Sequence, residues 1–458
     1  MRSGIFSRRS AAFVAGIIVS ACIVACATPA DPSGDTVSVS SDASADVAVL
    51  PPNDIDAAEA DDTSAADAAM PCSSDGWCKT TLPGTNIYVK DVVPFEKRAF
   101  AMMNSAYIGL TIGEWTPNTG WTLLKGVQPH LPPYFFGGRL WAPDEDTVYF
   151  TVSDLSGFLG DSFGTVVVRG RRPVPPATEW TWASGKVSCD LYMLGAAVGG
   201  SEDGNVYVAG CGKIYRLDKS AAAGAASDGG ADAGAETLQW IDEGFVDVDQ
   251  ASPIDFFDIG GTGPDDLWFA GGRVLDGFGS TGQSPCAILV HKTADGYRTV
   301  LDGIPLASGC SPRDDLPMVP GRLSQGIFNP SKNRVLAATE AVDENGKNVL
   351  LNVGLSGDQI RVATTRPPQS MATATLGSVW GTSEDDLFVI ATYDYASSGE
   401  RSALIRGQSI WGDSPSYDNS RLAINGVPSS NPLYRVRGTS SQNLWAVGQY
   451  NVYHKSTP

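Results

Sequence analysis

The chain has 458 residues and a formal net charge of −19, from 32 Lys and Arg against 51 Asp and Glu. That acidity excludes nucleic acid as a partner. Three histidines leave little from which to build a catalytic triad or a zinc site, whereas eight cysteines ask for an explanation.

Residues 1–26 read as a processing segment. Arg2, Arg8 and Arg9 form a basic start, and residues 11–25 make an apolar stretch too short to span a bilayer. The stretch ends in Ile23-Val24-Ala25-Cys26, which resembles the lipobox of bacterial lipoproteins. The resemblance implies lipidation of Cys26, which becomes the first mature residue. Val19-Ser20-Ala21-Cys22 fits the same pattern, so Cys22 is the alternative site, and an ordinary secretory signal is the alternative to lipidation. Two or more acyl chains anchor a protein stably where one does not.

Residues 27–71 form a linker rich in Ala, Ser, Asp and Pro, with ten acidic residues and no Lys, Arg or aromatic residue. Such a stretch cannot bury enough apolar surface to offset its ordering entropy, so disorder is expected. Without the three signal arginines and these ten acids, 29 basic residues stand against 41 acidic ones, a net charge of −12.

From residue 72 onward the chain repeats itself. The clearest copies are Asp258-Ile-Gly-Gly-Thr-Gly-Pro-Asp-Asp-Leu-Trp268, Ser378-Val-Trp-Gly-Thr-Ser-Glu-Asp-Asp-Leu-Phe388 and Arg435-Val-Arg-Gly-Thr-Ser-Ser-Gln-Asn-Leu-Trp445. Each reads as a strand, a polar turn and an apolar strand. Aligning the apolar anchor gives seven positions: Phe100, Tyr149, Tyr207, Trp268, Val335, Phe388 and Trp445, spaced 49 to 67 residues apart. Each unit holds four strand-like runs between Gly, Pro, Asn and Asp turns. In the sixth these are residues 376–381, 386–392, 402–407 and about 420–425. An all-β, seven-bladed β-propeller of four-stranded antiparallel blades is therefore predicted for residues 72–458, with six or eight blades as the alternatives.

The seventh unit ends after three strands, at Tyr453-His454-Lys455. The N-terminal run of residues 77–82 supplies the missing fourth strand, and pairing the two termini removes two open sheet edges. The repeats resemble those of propeller-bearing surface lipoproteins of gliding soil bacteria, whose units read approximately Val-Trp-Gly-Thr-Ser, Asp-Leu-Trp-Ala-Val-Gly and Ile-x-His. That resemblance implies a fold and a place in the cell envelope, at the outer membrane or cell surface, rather than an activity.

The residues that could do chemistry are explained by the repeat. His291 and His454 share one place on the third strand, where Ile214-Tyr-Arg216 and Leu404-Ile-Arg406 place Arg. His130 lies in a Pro-rich connection without a partner at ligand spacing. Asp144-Glu-Asp146, Glu202-Asp203, Asp265-Asp266 and Glu384-Asp385-Asp386 all fall at the turn between first and second strands, where Asp suits the backbone. No catalytic residue, metal site or cofactor is predicted.

Six cysteines follow the signal, and an even count in an exported chain favours disulfides. Turns between second and third strands share one end of a propeller, the top, with the connections between blades. That places Cys189 beside Cys211 and Cys286 beside Cys310, and leaves Cys72 to pair with Cys78 at the closing strand.

The same reasoning gives a candidate binding surface. Residues 154–163, 273–285 and 393–401 are long turns at the top, and they carry Phe158, Phe163, Phe278, Tyr393 and Tyr395. The connection into the second unit adds Tyr134, Phe135 and Phe136. Aromatic residues on loops over a rigid scaffold suit binding. By contrast, residues 219–237 form an Ala/Gly/Asp-rich insertion expected to be dispensable.

The resulting expectation is a lipid-anchored, extracytoplasmic monomer that binds an envelope protein or glycan and touches the membrane through its anchor alone. A carbohydrate-active hydrolase or lyase, with its site at the top of the channel, is the alternative. A structural envelope component without a discrete ligand is a third reading.

Overall fold

All seven apolar anchors sit on the second strand of a four-stranded antiparallel sheet, and seven such sheets form the blades of a β-propeller. The computed structural model describes residues 72–105, 108–127, 137–154, 164–188, 196–201, 203–210, 212–220, 237–249, 252–273, 285–306, 309–339, 348–368, 374–393, 401–420, 422 and 431–456. The chain divides into two units, Met1–Ser64 and Ala65–Pro458, and every described residue belongs to the second. Innermost strands of blades 1 to 7 are Tyr88–Pro94, Gly137–Asp144, Ala197–Gly200, Ile254–Gly263, Phe328–Ser331, Ala374–Ser383 and Leu433–Ser440.

The repeated Gly-Thr dipeptide has a steric reason. A Cβ added to Gly261, Gly381 or Gly438 would lie 2.9, 2.5 and 2.6 Å from Cδ2 of Leu267, Leu387 and Leu444. Glycine alone lets the first strand approach the second so closely. The following Thr262 donates to Asp266 at 2.5 Å, Thr382 donates to Asp386 at 3.0 Å, and Thr439 accepts from Asn443 at 2.8 Å. The motif thus closes its own turn.

The acid or amide of that turn then reaches the third strand. Asp266 Oδ1 accepts from Trp268 Nε1 at 3.2 Å and lies 2.8 Å from His291 Nε2, while the His ring stacks on Trp268 at 4.1 Å. Blade 7 repeats the arrangement, with Asn443 Oδ1 accepting from Trp445 at 3.1 Å and His454 stacked at 4.0 Å. In blade 6, Arg406 replaces the histidine, donating to Asp386 at 2.7 Å and lying 5.5 Å from the Phe388 ring. Both histidines are accounted for by packing on tryptophans, His291 within its blade and His454 also against Trp115 of blade 1. Asp144 and Asp203 instead accept from backbone N–H groups two residues on, as turn aspartates do.

Seven apolar clusters hold the ring together, each lying between two neighbouring blades. Trp268 of blade 4 packs with Val335 and Val353 of blade 5, for example, and Trp445 of blade 7 packs with Val89 and Trp121 of blade 1.

Blade 7 closes as the sequence requires. Trp77–Lys79 pairs antiparallel with Val452–Lys455, and Thr80 N continues the ladder to Val452 O at 2.9 Å. The strand is shorter than the predicted 77–82 because the chain turns away after Thr80 towards blade 1.

Two other differences appear. The fourth strand of blade 6 is Ser416–Ser420, earlier than expected. A two-stranded hairpin, Gly303–Leu306 with Gly309–Pro312, occupies the connection after blade 4, where no strand was expected. The hairpin carries Cys310, which is bonded to Cys286 at the start of the third strand, and a second disulfide joins Cys72 to Cys78. Cys189 and Cys211, like Cys22, Cys26 and His130, lie outside the described residues.

Candidate functional site

Each innermost strand starts at the end that carries the inter-blade connections, so its first residues ring the channel mouth. Near its start, a β-bulge interrupts this strand in blades 1, 4 and 7: between Val89 and Asp91, Phe256 and Asp258, and Leu433 and Arg435. The extra residues are Lys90, Phe257 and Tyr434, all half-buried. A bulge re-aims a side chain that regular alternation would send elsewhere.

These residues make two cation–aromatic pairs. The Lys90 ammonium lies 4.4 Å from the Tyr434 ring centre and 5.6 Å from that of Tyr88. The Arg322 guanidinium, on the connection into blade 5, lies 5.1 Å from the Phe257 ring centre. Beside the first pair, the Tyr88 hydroxyl is 2.9 Å from that of Tyr450, and Gln449 Nε2 donates to Tyr88 at 3.4 Å. Tyr450 sits in the short turn between the second and third strands of blade 7, at φ 60°.

Immediately after the bulges, the channel is crossed by charge. Arg435 of blade 7 reaches Asp258 of blade 4 with Nη2 at 3.0 Å, and its Nε lies 3.2 Å from Asp91 of blade 1. Arg437 lies 3.6 Å from Asp91 and donates to Leu140 O at 3.3 Å. Arg139 of blade 2 donates to Phe257 O at 2.6 Å and Gly138 O at 3.1 Å. The carboxylates are saturated from the other side. Asp91 accepts from Val92 N and Leu140 N, and Asp258 accepts from Ile259 N and Ile327 N, all at 2.9 to 3.1 Å. Each aspartate therefore staples its own blade to the next.

Asp91, Asp258, Arg139 and Arg435 are all buried. Burial opposes ionisation of Asp258, but the charges of Arg435, Arg437 and Arg139 outweigh it and hold the carboxyl below its usual range. Burial, with Arg435 alongside, lowers Arg139 to about 10, which leaves it charged at neutral pH. Two carboxylates thus face each other across a guanidinium, and Asp258 is not poised as an acid. Glycoside hydrolysis needs one carboxyl kept protonated and a second within reach of the sugar. Here Arg435 occupies the space between them.

Tyr134, Phe135, Phe136, Phe158, Phe163, Phe278 and Tyr395 lie outside the described residues, as do all but the ends of the long turns that bear them. Tyr393 ends the second strand of blade 6, where it pairs with Arg401. The mouth residues Tyr88, Lys90, Phe257, Arg322, Tyr434 and Tyr450 were not read as a site. Their signal was indirect: three occupy the position just before the first letter of a repeat copy or its equivalent. Among the described residues, no three His, Cys, Asp or Glu side chains are grouped to hold a metal ion.

No protein-family model matches the chain, and no curated protein matches it. Solved structures similar to it include YCF48 from Cyanidioschyzon merolae, at 10% identity over 83% of this chain and 98% of that one, with a TM-score of 0.44. Another is the extracellular domain of the putative one-component system BT4673 from B. thetaiotaomicron, at 11% identity over 83% of this chain, with a TM-score of 0.45; the match spans 40% of that chain. A third is a PL25 polysaccharide lyase, an ulvanlyase, at 9% identity over 82% of this chain and 93% of that one, with a TM-score of 0.45. The function of this chain rests on its own residues.

Proposed function

We propose that this protein is a lipid-anchored, extracytoplasmic binding module that receives an envelope component at the mouth of its channel and does not catalyse. One observation carries this reading: two cations seated on aromatic rings, Lys90 and Arg322, stand at the mouth, directly above carboxylates that are already ion-paired and hydrogen-bonded. Such a floor offers a ligand shape and charge but no free acid or base. Two disulfides support an oxidising, extracytoplasmic compartment. The lipobox at Cys26, with Cys22 as alternative, supports the anchor. Tyr134, Phe135, Phe136, Phe158, Phe163, Phe278, Tyr393 and Tyr395 extend the same surface on the long top-end turns.

The test uses the full chain on intact cells. A photoreactive phenylalanine is placed at position 450, with the exposed outer position 174 as control. An envelope component crosslinked from 450 and absent from 174 is the expected result. Identical products, or none from 450, overturn the binding site. In the same cells, Cys26→Ser should move the protein from the detergent to the aqueous phase on partitioning; retention transfers the anchor to Cys22.

A further inference from the structure

We infer that the channel axis holds a single small anion of the chloride class, bound by the guanidinium groups of Arg139 and Arg437 beneath the mouth. The inference goes beyond the binding reading above and stands apart from it, because the ion belongs to the floor.

The first ground is charge. Arg139, Arg435 and Arg437 share the axis with Asp91 and Asp258, three cations against two anions. The charges acting on Arg139 and Arg437 come from other members of this set. One positive charge is therefore left over in a buried layer. A buried charge without a counter-charge is among the costliest features a fold can carry.

The second ground is where the surplus lies. Arg435 is held between Asp258 at 3.0 Å and Asp91 at 3.2 Å. Arg437 stands further off, 3.6 Å from Asp91 and 3.9 Å from Asp258. Arg139 donates to the carbonyls of Phe257 and Gly138, and no carboxylate of the described residues lies within ion-pair distance of it. A carbonyl carries no net charge, so Arg139 is buried with its own intact. The electrostatics agree. Burial and the charge of Arg435 hold Arg139 and Arg437 below the usual arginine range, whereas the two aspartates raise Arg435 despite its burial.

The third ground is hydrogen bonding. A guanidinium presents five N–H donors. The three groups meet only two carboxylates and the carbonyls of Phe257, Gly138 and Leu140. Every oxygen of those carboxylates already accepts a backbone N–H. Arg435 Nη1 is buried and has no acceptor among the described residues. Buried donors without acceptors point to a bound water or ion, and the surplus of charge selects the ion. One excess unit matches a monovalent anion, and three guanidinium groups packed around one axis favour a monatomic one. Guanidinium is weakly hydrated, so its natural partner here is a weakly hydrated anion such as chloride or bromide.

Thermal unfolding of the full chain tests this at constant ionic strength, with sodium gluconate replaced stepwise by sodium chloride or bromide. Both halides should raise the midpoint by about 2 °C or more, and the rise should level off as the site fills. Screening depends on ionic strength alone, and general salt effects persist in every variant. Arg139→Gln should lose the halide response. Arg361→Gln, which removes the same charge from the outer strand of blade 5, should keep it. Equal midpoints in chloride and gluconate overturn the inference, and so does a halide response that survives in Arg139→Gln. A crystal of the wild-type chain grown in bromide needs no variant: anomalous density between Arg139 and Arg437 is expected, and its absence overturns the inference. Crosslinking from position 450 reads the mouth alone, so its failure would leave the ion standing.

Discussion

At the scale of single residues, the channel is written at the first letter of each repeat copy. Asp258, Ser378 and Arg435 begin the three clearest copies; Asp258 and Arg435 follow the first bulge of their innermost strands, and Ser378 lies within the irregularity of its own. The rest of the motif repeats because every blade needs the same turn. The first letter varies because it faces the axis, where each blade meets a different partner. Ser378 donates to Val436 O of blade 7, whereas Asp258 and Arg435 meet across the channel. Breaking that pair leaves a buried cation short of a partner. Asp258→Asn is therefore expected to destabilise the fold by about 3 kcal/mol, against less than about 1 kcal/mol for Asp203→Asn in an exposed turn. Urea denaturation midpoints of the two variants decide it, and equal losses would refute the role given to Asp258. The mouth residues were harder to read. A bulge is an insertion of one residue, and no composition or periodicity marks it before the register is known.

At the scale of elements, the strands are legible where they alternate and illegible where they do not. The second strands are apolar and buried, and the seven anchors on them were placed correctly. The fourth strand of blade 6 is Ser416-Tyr-Asp-Asn-Ser420, a polar outer strand, and the more apolar run just after it drew the expectation four residues too far. Outer strands are held by ladder bonds on one side only, so their sequences need less apolar content. The third strand carries a different kind of information. Opposite the seven anchors stand Glu114, Arg169, Arg216, His291, Val353, Arg406 and His454, one register position filled by four residue types. Of these, His454 gives a pH prediction. Burial lowers its pKa from 6.5 to about 4 in the folded chain. A depressed folded value means that the unfolded chain takes up the proton first as pH falls. The stability tied to neutral His454 is full above pH 6.5 and is lost progressively between 6.5 and about 4, by about 3 kcal/mol in total. His454→Gln should flatten this part of the stability profile, measured by denaturant titration across pH 4 to 7.5. A slope identical to wild type would contradict it.

At the scale of the whole molecule, ring closure was the most secure inference from the sequence, because a seventh unit with three strands needs a fourth from somewhere. Trp77 has no exposed surface and packs against Phe388 of blade 6, with ring centres 6.4 Å apart. Its removal would open both the seam and the contact between blades 6 and 7. Trp77→Ala should cost about 3–5 kcal/mol, whereas replacing Cys72 and Cys78 together by Ser should cost about 2 kcal/mol, since that bond closes a loop of only six residues. Guanidinium melts of both variants test the ranking. A larger loss from the cysteine variant would mean that the bond, not the packing, holds the seam. Of the three expected cysteine pairings, Cys286–Cys310, read from the blade geometry, and Cys72–Cys78, left by remainder, are present, and Cys189–Cys211 lies outside the described residues. The aromatic surface expected on the long turns could be located only to one end of the ring, because loop sequence carries no periodic constraint.

The seam also sets how the molecule bears force. A chain held by its N-terminal end and pulled from elsewhere on the ring is loaded through Trp77–Lys79, the shortest strand in blade 7. The Cys72–Cys78 bond makes the preceding hairpin turn inextensible, so tension enters at Cys78, the central residue of the strand's three pairs, instead of peeling the strand from its end. How long the loaded ring survives is then set by the rate at which that one pairing fails. A weld on the entering chain thus acts as the strain relief of the whole ring.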